Sequence, residues 1–168
     1  MGGWEKGEAS RSVCIFSREF GVIYATVQNA RSINSKLRYS VQDYSLGNFT
    51  LVKGKNSWKL VGAETEKNLN QSLKQNLKVF ASILSLIKRL TAEEKNEELY
   101  NIIFKSIGLF ERTNEKDLKE IEILTVLKIL KNLGYVEETL EEIEYLSKNR
   151  QKAIEIINNS LMSADLGK

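Results

Sequence analysis

The side chains best suited to chemistry in this sequence are basic ones, which accompany an aromatic residue in the first third of the chain. Lysines and arginines neutralise phosphates and release counterions, and an aromatic ring stacks on a base for roughly 1–3 kcal/mol. Three such cations surround Gly54 beside Trp58, and three lie in the polar stretch 29–38. This pattern is typical of a surface for single-stranded nucleic acid, and a half-buried strand residue is the alternative interpretation of Trp58. The candidates are Arg31, Lys36, Arg38, Lys53, Lys55, Trp58 and Lys59.

The other reactive residue types offer little for catalysis. The 168 residues include no histidine and one cysteine, which excludes Ser-His and Cys-His nucleophile pairs, an internal disulfide and multi-cysteine metal sites. Neighbouring glutamates such as Glu93 and Glu94 point about 100° apart on a helix, so they cannot face a shared proton or metal. Cys14 lies in an apolar segment and is expected in the core. We therefore expect no catalytic residue, no metal, no cofactor and no enzymatic activity.

Positive charge is concentrated near the start of the chain. Residues 1–62 hold nine Lys or Arg and four acidic residues, a net charge of +5, whereas the remaining 106 residues carry −2. A basic module joined to a mildly acidic one indicates a polyanionic partner for the basic module. Hydrophobic residues make up 42% and charged residues 28%, which is ordinary for a globular protein. No apolar run reaches the ~18 residues that a membrane span needs.

The hydrophobic period changes near residue 64. Before it, short β-branched and apolar segments separated by turn residues predict a small antiparallel barrel or sandwich. After it, apolar residues recur at spacings of three and four, which predicts helices. The fold class is therefore α+β. The predicted strands are 12–16, 21–27, 39–44, 49–52 and 58–61.

The helical part carries several boundary signals. An apolar stripe over residues 73–87 predicts one long helix, and Thr91 with Glu94 forms a capping box that would open the next. Asn114 is a candidate cap for a third helix, which is apolar around more than half of its circumference and is expected to be central and buried. Gly134 follows this helix, at the position where helices commonly end with a residue in the left-handed conformation.

Several motifs follow one another in a fixed order through the first 64 residues. They are Gly7-Glu8-Ala9-Ser10-Arg11, Ile15-Phe16-Ser17-Arg18-Glu19-Phe20-Gly21, Ala30-Arg31 with Ser35-Lys36-Leu37, Phe49-Thr50-Leu51-Val52, and Trp58-Lys59-Leu60-Val61-Gly62-Ala63-Glu64. In order and spacing, the series resembles the RecO family of DNA repair and recombination mediators. The helical run that ends in Leu133-Gly134-Tyr135 is similar to that family's buried helix, and the resemblance is close over 7–64 and loose over 65–135.

The resemblance implies an OB-fold-like DNA-binding barrel over residues 1–64 and a helical domain over 65–168. It also implies binding of single- and double-stranded DNA, annealing of complementary strands, and recombinase loading with RecR and the C-terminal tail of the single-strand-binding protein (SSB), in the cytoplasm and at the nucleoid. By position, it adds two DNA-contact candidates to the set and supports the other basic ones except Arg38, which rests on charge alone, while Trp58 rests on the stacking argument. The two additions are Arg11 and Arg18.

Three departures from the family pattern shape the expectations. Only Met1–Lys6 precedes the first motif, so we expect the barrel's usual first strand to be missing. The four-cysteine zinc element of many members is absent, and the chain ends about seventy residues short of a typical member, consistent with losing part of one helical lobe. A protein-interaction adaptor that docks RecR or the SSB tail on its helices, with a degenerate barrel, and an OB-type RNA-binding protein are the alternative functions.

Overall fold

The computed structural model describes residues 3–6, 10–27, 42–55 and 57–166. Contacts between backbone positions divide the chain into two units. The first comprises Met1–Leu77 together with Thr91–Lys95, and the second comprises Lys78–Leu90 together with Asn96–Lys168. A short segment from the middle of the chain therefore returns to the unit that the amino-terminal strands build.

The first unit is built on one five-stranded sheet. Its strands follow the spatial order β1-β2-β3-β5-β4, in which β3 and β5 are parallel and the other neighbours are antiparallel. This order is that of the Greek-key OB barrel, so the predicted α+β class with an OB-fold-like amino-terminal sheet is confirmed. The strands are β1 (Gly3–Lys6), β2 (Ser10–Ser17), β3 (Gly21–Val27), β4 (Ser45–Lys53) and β5 (Trp58–Asn68).

Two strand predictions are wrong. The first strand is not missing, because β1 pairs with β2 and places Trp4 opposite Ser12. The strand predicted at 39–44 does not form in its described part, where Asp43 and Tyr44 make a turn, and residues 39–41 lie outside the described residues. Tyr44 has a φ of 60°, which an extended strand does not allow, and its carbonyl oxygen accepts a hydrogen bond from Leu69 N at 2.9 Å.

The sheet's core follows from strand alternation. One face carries the large apolar side chains, since successive residues of a strand point to opposite faces. The predicted boundary after residue 64 falls within β5, which continues to Asn68. The core residues are Val13, Ile15, Ile23, Ala25, Val27, Trp58 and Leu60, with Phe49, Leu51 and Ala63 packed against them.

The single long helix predicted over 73–87 is interrupted. Helix α1 (Leu69–Leu73) is capped by Asn68, whose side chain accepts a hydrogen bond from Asn70 N at 2.9 Å. A 3₁₀ turn (Lys74–Asn76) separates it from α2 (Leu77–Leu90). Lys74, at the junction, has a φ of 49°. A non-glycine residue in this conformation ends the regular helix, although the apolar spacing continues across the break.

The predicted capping box at Thr91 and Glu94 is also wrong. Helix α3 (Glu97–Arg112) begins later, where the Asn96 side chain accepts a hydrogen bond from Leu99 N at 2.8 Å. Asn96 is a preferred cap and two glutamates follow it in the first turn, which favours this start through the helix dipole. Residues 91–95 are left outside the helix and belong to the first unit.

Helix α4 (Leu118–Asn132) is the buried element of the second unit, as predicted. Leu127, Ile129 and Leu130 are fully buried. Gly134 follows with the predicted left-handed backbone, φ 80°. The Asn114 side chain accepts from Lys116 N at 2.9 Å and Asp117 N at 3.2 Å, so it caps the turn before α4 rather than the helix itself.

Two further helices complete the second unit. Helix α5 (Leu140–Lys148) begins with a capping box between Thr139 and Glu142, and α6 (Arg150–Leu166) follows it closely. None of the helices in the described ranges is both long and apolar enough to cross a membrane.

Candidate nucleic-acid interface

Three of the candidate lysines lie on the β4–β5 hairpin. Its turn is closed by a hydrogen bond of 2.9 Å from Gly54 N to the carbonyl oxygen of Ser57. Lys53 pairs across the hairpin with Trp58, and Val52 pairs with Lys59. Because paired residues share a face, Lys53 lies on the core side of the sheet and Lys59 on the outer side. The hairpin therefore gathers the lysines but presents them on two faces, with the exposed Lys55 in the connecting turn.

The Trp58 side chain is part of the core rather than an exposed platform. The residue is 9% exposed, and its ring centroid lies 4.9 Å from that of Phe20 at an interplanar angle of 49°. Its indole N–H donates a hydrogen bond to Glu93 Oε1 at 3.0 Å. Trp58 is therefore a strand residue, as in the alternative interpretation, but it is more deeply buried than the half-buried position expected there, and its ring is not available for stacking on a base.

Glu93 links Trp58 to the first hairpin lysine. Lys53 Nζ donates to the same Oε1 atom at 3.3 Å and lies 4.9 Å from the centroid of the indole ring. The hydrogen bond from Trp58, followed by that from Lys53, lowers the pKa of the Glu93 carboxyl. The carboxylate thus stays ionised and offsets part of the Lys53 charge.

The segment that carries Glu93 is held against the sheet by its backbone. Val22 N donates to the carbonyl oxygen of Ala92 at 3.1 Å, beside Gly21. Gly21 has a φ of +66°, and a Cβ atom there would lie 2.2 Å from the Glu94 carbonyl oxygen. Only glycine satisfies both the backbone conformation and this close approach.

The two arginine candidates in the described part of β2 and its turn are far apart. Arg11 is near the start of β2, where its Nη2 atom lies 2.6 Å from Asp43 Oδ1. Arg18 is exposed in the β2–β3 turn, next to Glu19, which pairs with Lys95 at 3.4 Å. The six residue steps from Arg11 to the end of β2 at Ser17 span roughly 20 Å. The structure therefore does not bring these arginines together.

The remaining candidates lie outside the described residues. They are Arg31, Lys36 and Arg38.

Lys55 and Lys59 are the hairpin cations with the least competition from carboxylates. Both are exposed, and within the described part of the chain neither lies within 4.0 Å of a carboxylate oxygen. Lys53, in contrast, pairs with Glu93. The charge that the hairpin offers to an anion therefore comes chiefly from its turn and its outer face.

The described residues contain little else for chemistry. Cys14 is 3% exposed, in agreement with its expected core position. Nowhere in the described ranges do three or more Cys, Asp or Glu side chains form a group that could hold a metal ion.

Sequence reasoning missed two residues near the hairpin. The pairing of Glu93 with Glu94 indicates a solvated helical face, and nothing local to Glu93 signals a return to the sheet. Tyr24 lies in an apolar segment that predicts a strand and no binding role, yet it is 44% exposed. Its position between Ile23 and Ala25, both buried, is the signal that could have identified it, because an alternating strand exposes every second residue.

Comparison with known proteins places the amino-terminal part of the chain. The family model "Recombination protein O N terminal" matches residues 5–69. A protein named DNA repair protein RecO from Alkaliphilus metalliredigens is 29% identical over 126 residues, covering 73% of this chain and 48% of that protein. One of the same name from Gloeothece citriformis is 31% identical over 113 residues, covering 66% and 40%. The chain thus spans about half the length of the curated relatives it matches.

Proposed function

This chain belongs to the RecO family of DNA repair proteins, and on that premise we propose that it binds single- and double-stranded DNA through its OB-like sheet and acts in repair and homologous recombination without an enzymatic step. The family membership supports the role in DNA repair and homologous recombination. The proposed mode of binding rests on the residues of the β4–β5 hairpin.

The observation that carries the proposal is the exposure of Lys55 and Lys59 on that hairpin. OB folds bind oligonucleotides on the face of strands 2 and 3 and in the loops between strands 1 and 2 and between strands 4 and 5. The hairpin is the connection between strands 4 and 5 in this sheet. Two exposed lysines at that position match what a phosphate backbone requires.

Strand annealing follows from the same chemistry. Two complementary strands repel each other through their phosphates, and lysine side chains reduce that repulsion when they replace condensed counterions. Contacts to phosphates carry no sequence information, so the bases stay available for pairing. Annealing by this route needs no general acid, base or cofactor.

The second unit is proposed as the docking part of the molecule. Its helices expose large apolar side chains, including Tyr145 at 72% and Met162 at 65%. In our proposal this unit engages RecR and the SSB tail, so that recombinase is loaded where SSB covers single-stranded DNA, in the cytoplasm and at the nucleoid.

Fluorescence anisotropy across a salt series tests the proposal. Labelled single-stranded DNA, duplex DNA and single-stranded RNA of equal length are titrated with the full chain. We expect binding to both DNA forms, with log K falling linearly as log salt rises. Absence of binding at low salt, or an affinity independent of salt, would contradict the proposal. Preference for RNA over DNA would favour an RNA-binding protein, and capture of an SSB tail peptide without DNA binding would favour an adaptor.

A further inference from the structure

Among the side chains that the structure describes on the outer face of the sheet, one aromatic and two aliphatic ones are well exposed. Tyr24 on β3 is 44% exposed, Val52 on β4 is 50% exposed and Val61 on β5 is 53% exposed. An exposed β-branched or aromatic side chain is ordinary when it stands alone. Three of them on adjacent strands of one face, beside a lysine, make a surface suited to the flat and partly apolar face of a nucleobase.

The register places the lysine next to the tyrosine. Thr26 of β3 pairs with Lys59 of β5, and Lys59 pairs in turn with Val52 of β4. Tyr24 is two residues from Thr26 along β3, so it shares the outer face with Lys59 as a diagonal neighbour. Neighbouring strands lie about 4.8 Å apart and rise about 3.3 Å per residue, so diagonal positions two residues apart are roughly 8 Å from each other, within reach of long side chains.

Trp58 lies on the opposite face and does not compete for this role. It pairs with Ala25, the residue between Tyr24 and Thr26, and both Trp58 and Ala25 are core residues. Among the sheet side chains that the structure describes, Tyr24 is therefore an exposed aromatic residue that stands beside an exposed hairpin cation. Burial, followed by the neighbouring Cys14, raises the pKa of the Tyr24 phenol, so the ring is neutral at physiological pH.

From this geometry, and resting on the proposed function, we infer that Tyr24 is the stacking platform for an unpaired base and that Lys59 binds an adjacent phosphate of the same strand. Val52 pairs with Lys59 and Val61 is two residues from it along β5, so both extend the apolar surface beside the lysine. A duplex has no unstacked base to offer, so the tyrosine contributes to single-strand binding and not to duplex binding. The tyrosine therefore sets the preference between the two DNA forms.

The test compares Tyr24→Leu with wild type on a thymidine homopolymer and on a duplex of matched length. We expect the variant to bind the single strand roughly 5- to 150-fold more weakly, the equivalent of ~1–3 kcal/mol, and the duplex as wild type does. Tyr24→Phe keeps the ring and retains single-strand affinity. Phe104→Leu, which removes an exposed aromatic ring from α3 of the second unit, is the matched control and changes neither affinity.

The outcomes separate the inference from the function on which it rests. If the wild type binds both DNA forms and Tyr24→Leu binds the single strand equally well, the role of Tyr24 is overturned and the proposed function stands. Failure of the wild type to bind either form overturns both. Photo-crosslinking of the wild type to a bromouracil-substituted strand needs no variant, and the inference requires the crosslink to map to β3 at Tyr24 rather than to Trp58.

Discussion

The indole N–H of Trp58 donates a hydrogen bond to the carboxylate of Glu93 at 3.0 Å, although 35 residues separate the two along the chain. The same carboxylate oxygen lies 3.3 Å from Lys53 Nζ. The Glu93 carboxylate thus accepts the hydrogen bond of the buried Trp58 indole and also pairs with the Lys53 ammonium group. While it is paired, Lys53 is less available to bind a phosphate. The hairpin's affinity for an anion is therefore lower than its three lysines alone would provide.

Replacing that carboxylate should strengthen DNA binding. Glu93→Gln keeps an oxygen that accepts from Trp58 but removes the charge that offsets Lys53, so one more phosphate contact becomes available. We expect tighter binding and a plot of log K against log salt that is steeper by about 0.7–0.9. Glu94→Gln changes a neighbouring exposed glutamate and is the control. Equal effects of the two variants in the anisotropy titration would refute the role of Glu93.

The same contact should make stability depend on pH. The hydrogen bond from Trp58, and then that from Lys53, lowers the Glu93 pKa in the folded state. A lowered pKa stabilises the fold at every pH above the ordinary glutamate pKa, and this stabilisation is lost as the pH falls through the lowered value. Urea denaturation of wild type and Glu93→Gln should therefore show a stability difference that shrinks in acid. A difference that stays constant down to the acid range would contradict the assignment.

Two glycines with positive φ should differ in their tolerance of alanine. Gly134 has a φ of +80° and open space within 4 Å of where an alanine Cβ atom would lie, so Gly134→Ala should cost only the left-handed backbone penalty of about 1–2 kcal/mol. At Gly21 the added Cβ atom would lie 2.2 Å from the Glu94 carbonyl oxygen, so Gly21→Ala must also displace residues 91–95. We expect a larger loss of unfolding free energy and altered tryptophan fluorescence for Gly21→Ala. Equal losses in urea denaturation would show that the segment is not packed there.

The contribution of the α5 capping box to the unfolding free energy should be measurable with single substitutions at Thr139. Thr139 Oγ1 accepts from Glu142 N at 3.2 Å, and Thr139 N donates to Glu142 Oε2 at 2.7 Å. Thr139→Ala removes the hydroxyl acceptor and should cost about 1 kcal/mol of unfolding free energy, whereas Thr139→Ser keeps it and should cost much less. Thermal and urea denaturation provide the values. A serine variant as unstable as the alanine variant would assign the loss to something other than the cap.

The elements with strong local signals were predictable from the sequence. Strand β3 carries a β-branched apolar run, α4 is apolar around most of its circumference, and Gly134 occupies the left-handed position after it. Each of these depends on residues that are neighbours in sequence. The hairpin at Gly54 belongs to the same group, because its turn residues lie between two apolar segments.

The features that depend on distant contacts were not predictable. Thr91 and Glu94 have the spacing of a capping box, but Asn96 provides a competing cap two residues beyond Glu94 and residues 92–95 contact the sheet instead. The face on which Trp58 lies depends on its register with Ala25, 33 positions earlier. Without that register, the pattern of lysines and tryptophan indicates one exposed surface, whereas the sheet divides it between two faces.

The most direct test of the central claim is the DNA affinity of the Lys55→Glu/Lys59→Glu double variant. Its control is Lys105→Glu/Lys116→Glu, which reverses two exposed lysines of the second unit and changes net charge equally. We predict that the hairpin variant loses affinity for all sequences alike and that its single-strand salt slope falls by about 1.4, the value for two lost phosphate contacts, while the control keeps most of its affinity. Equal losses in the two variants would contradict the hairpin as the DNA-binding surface.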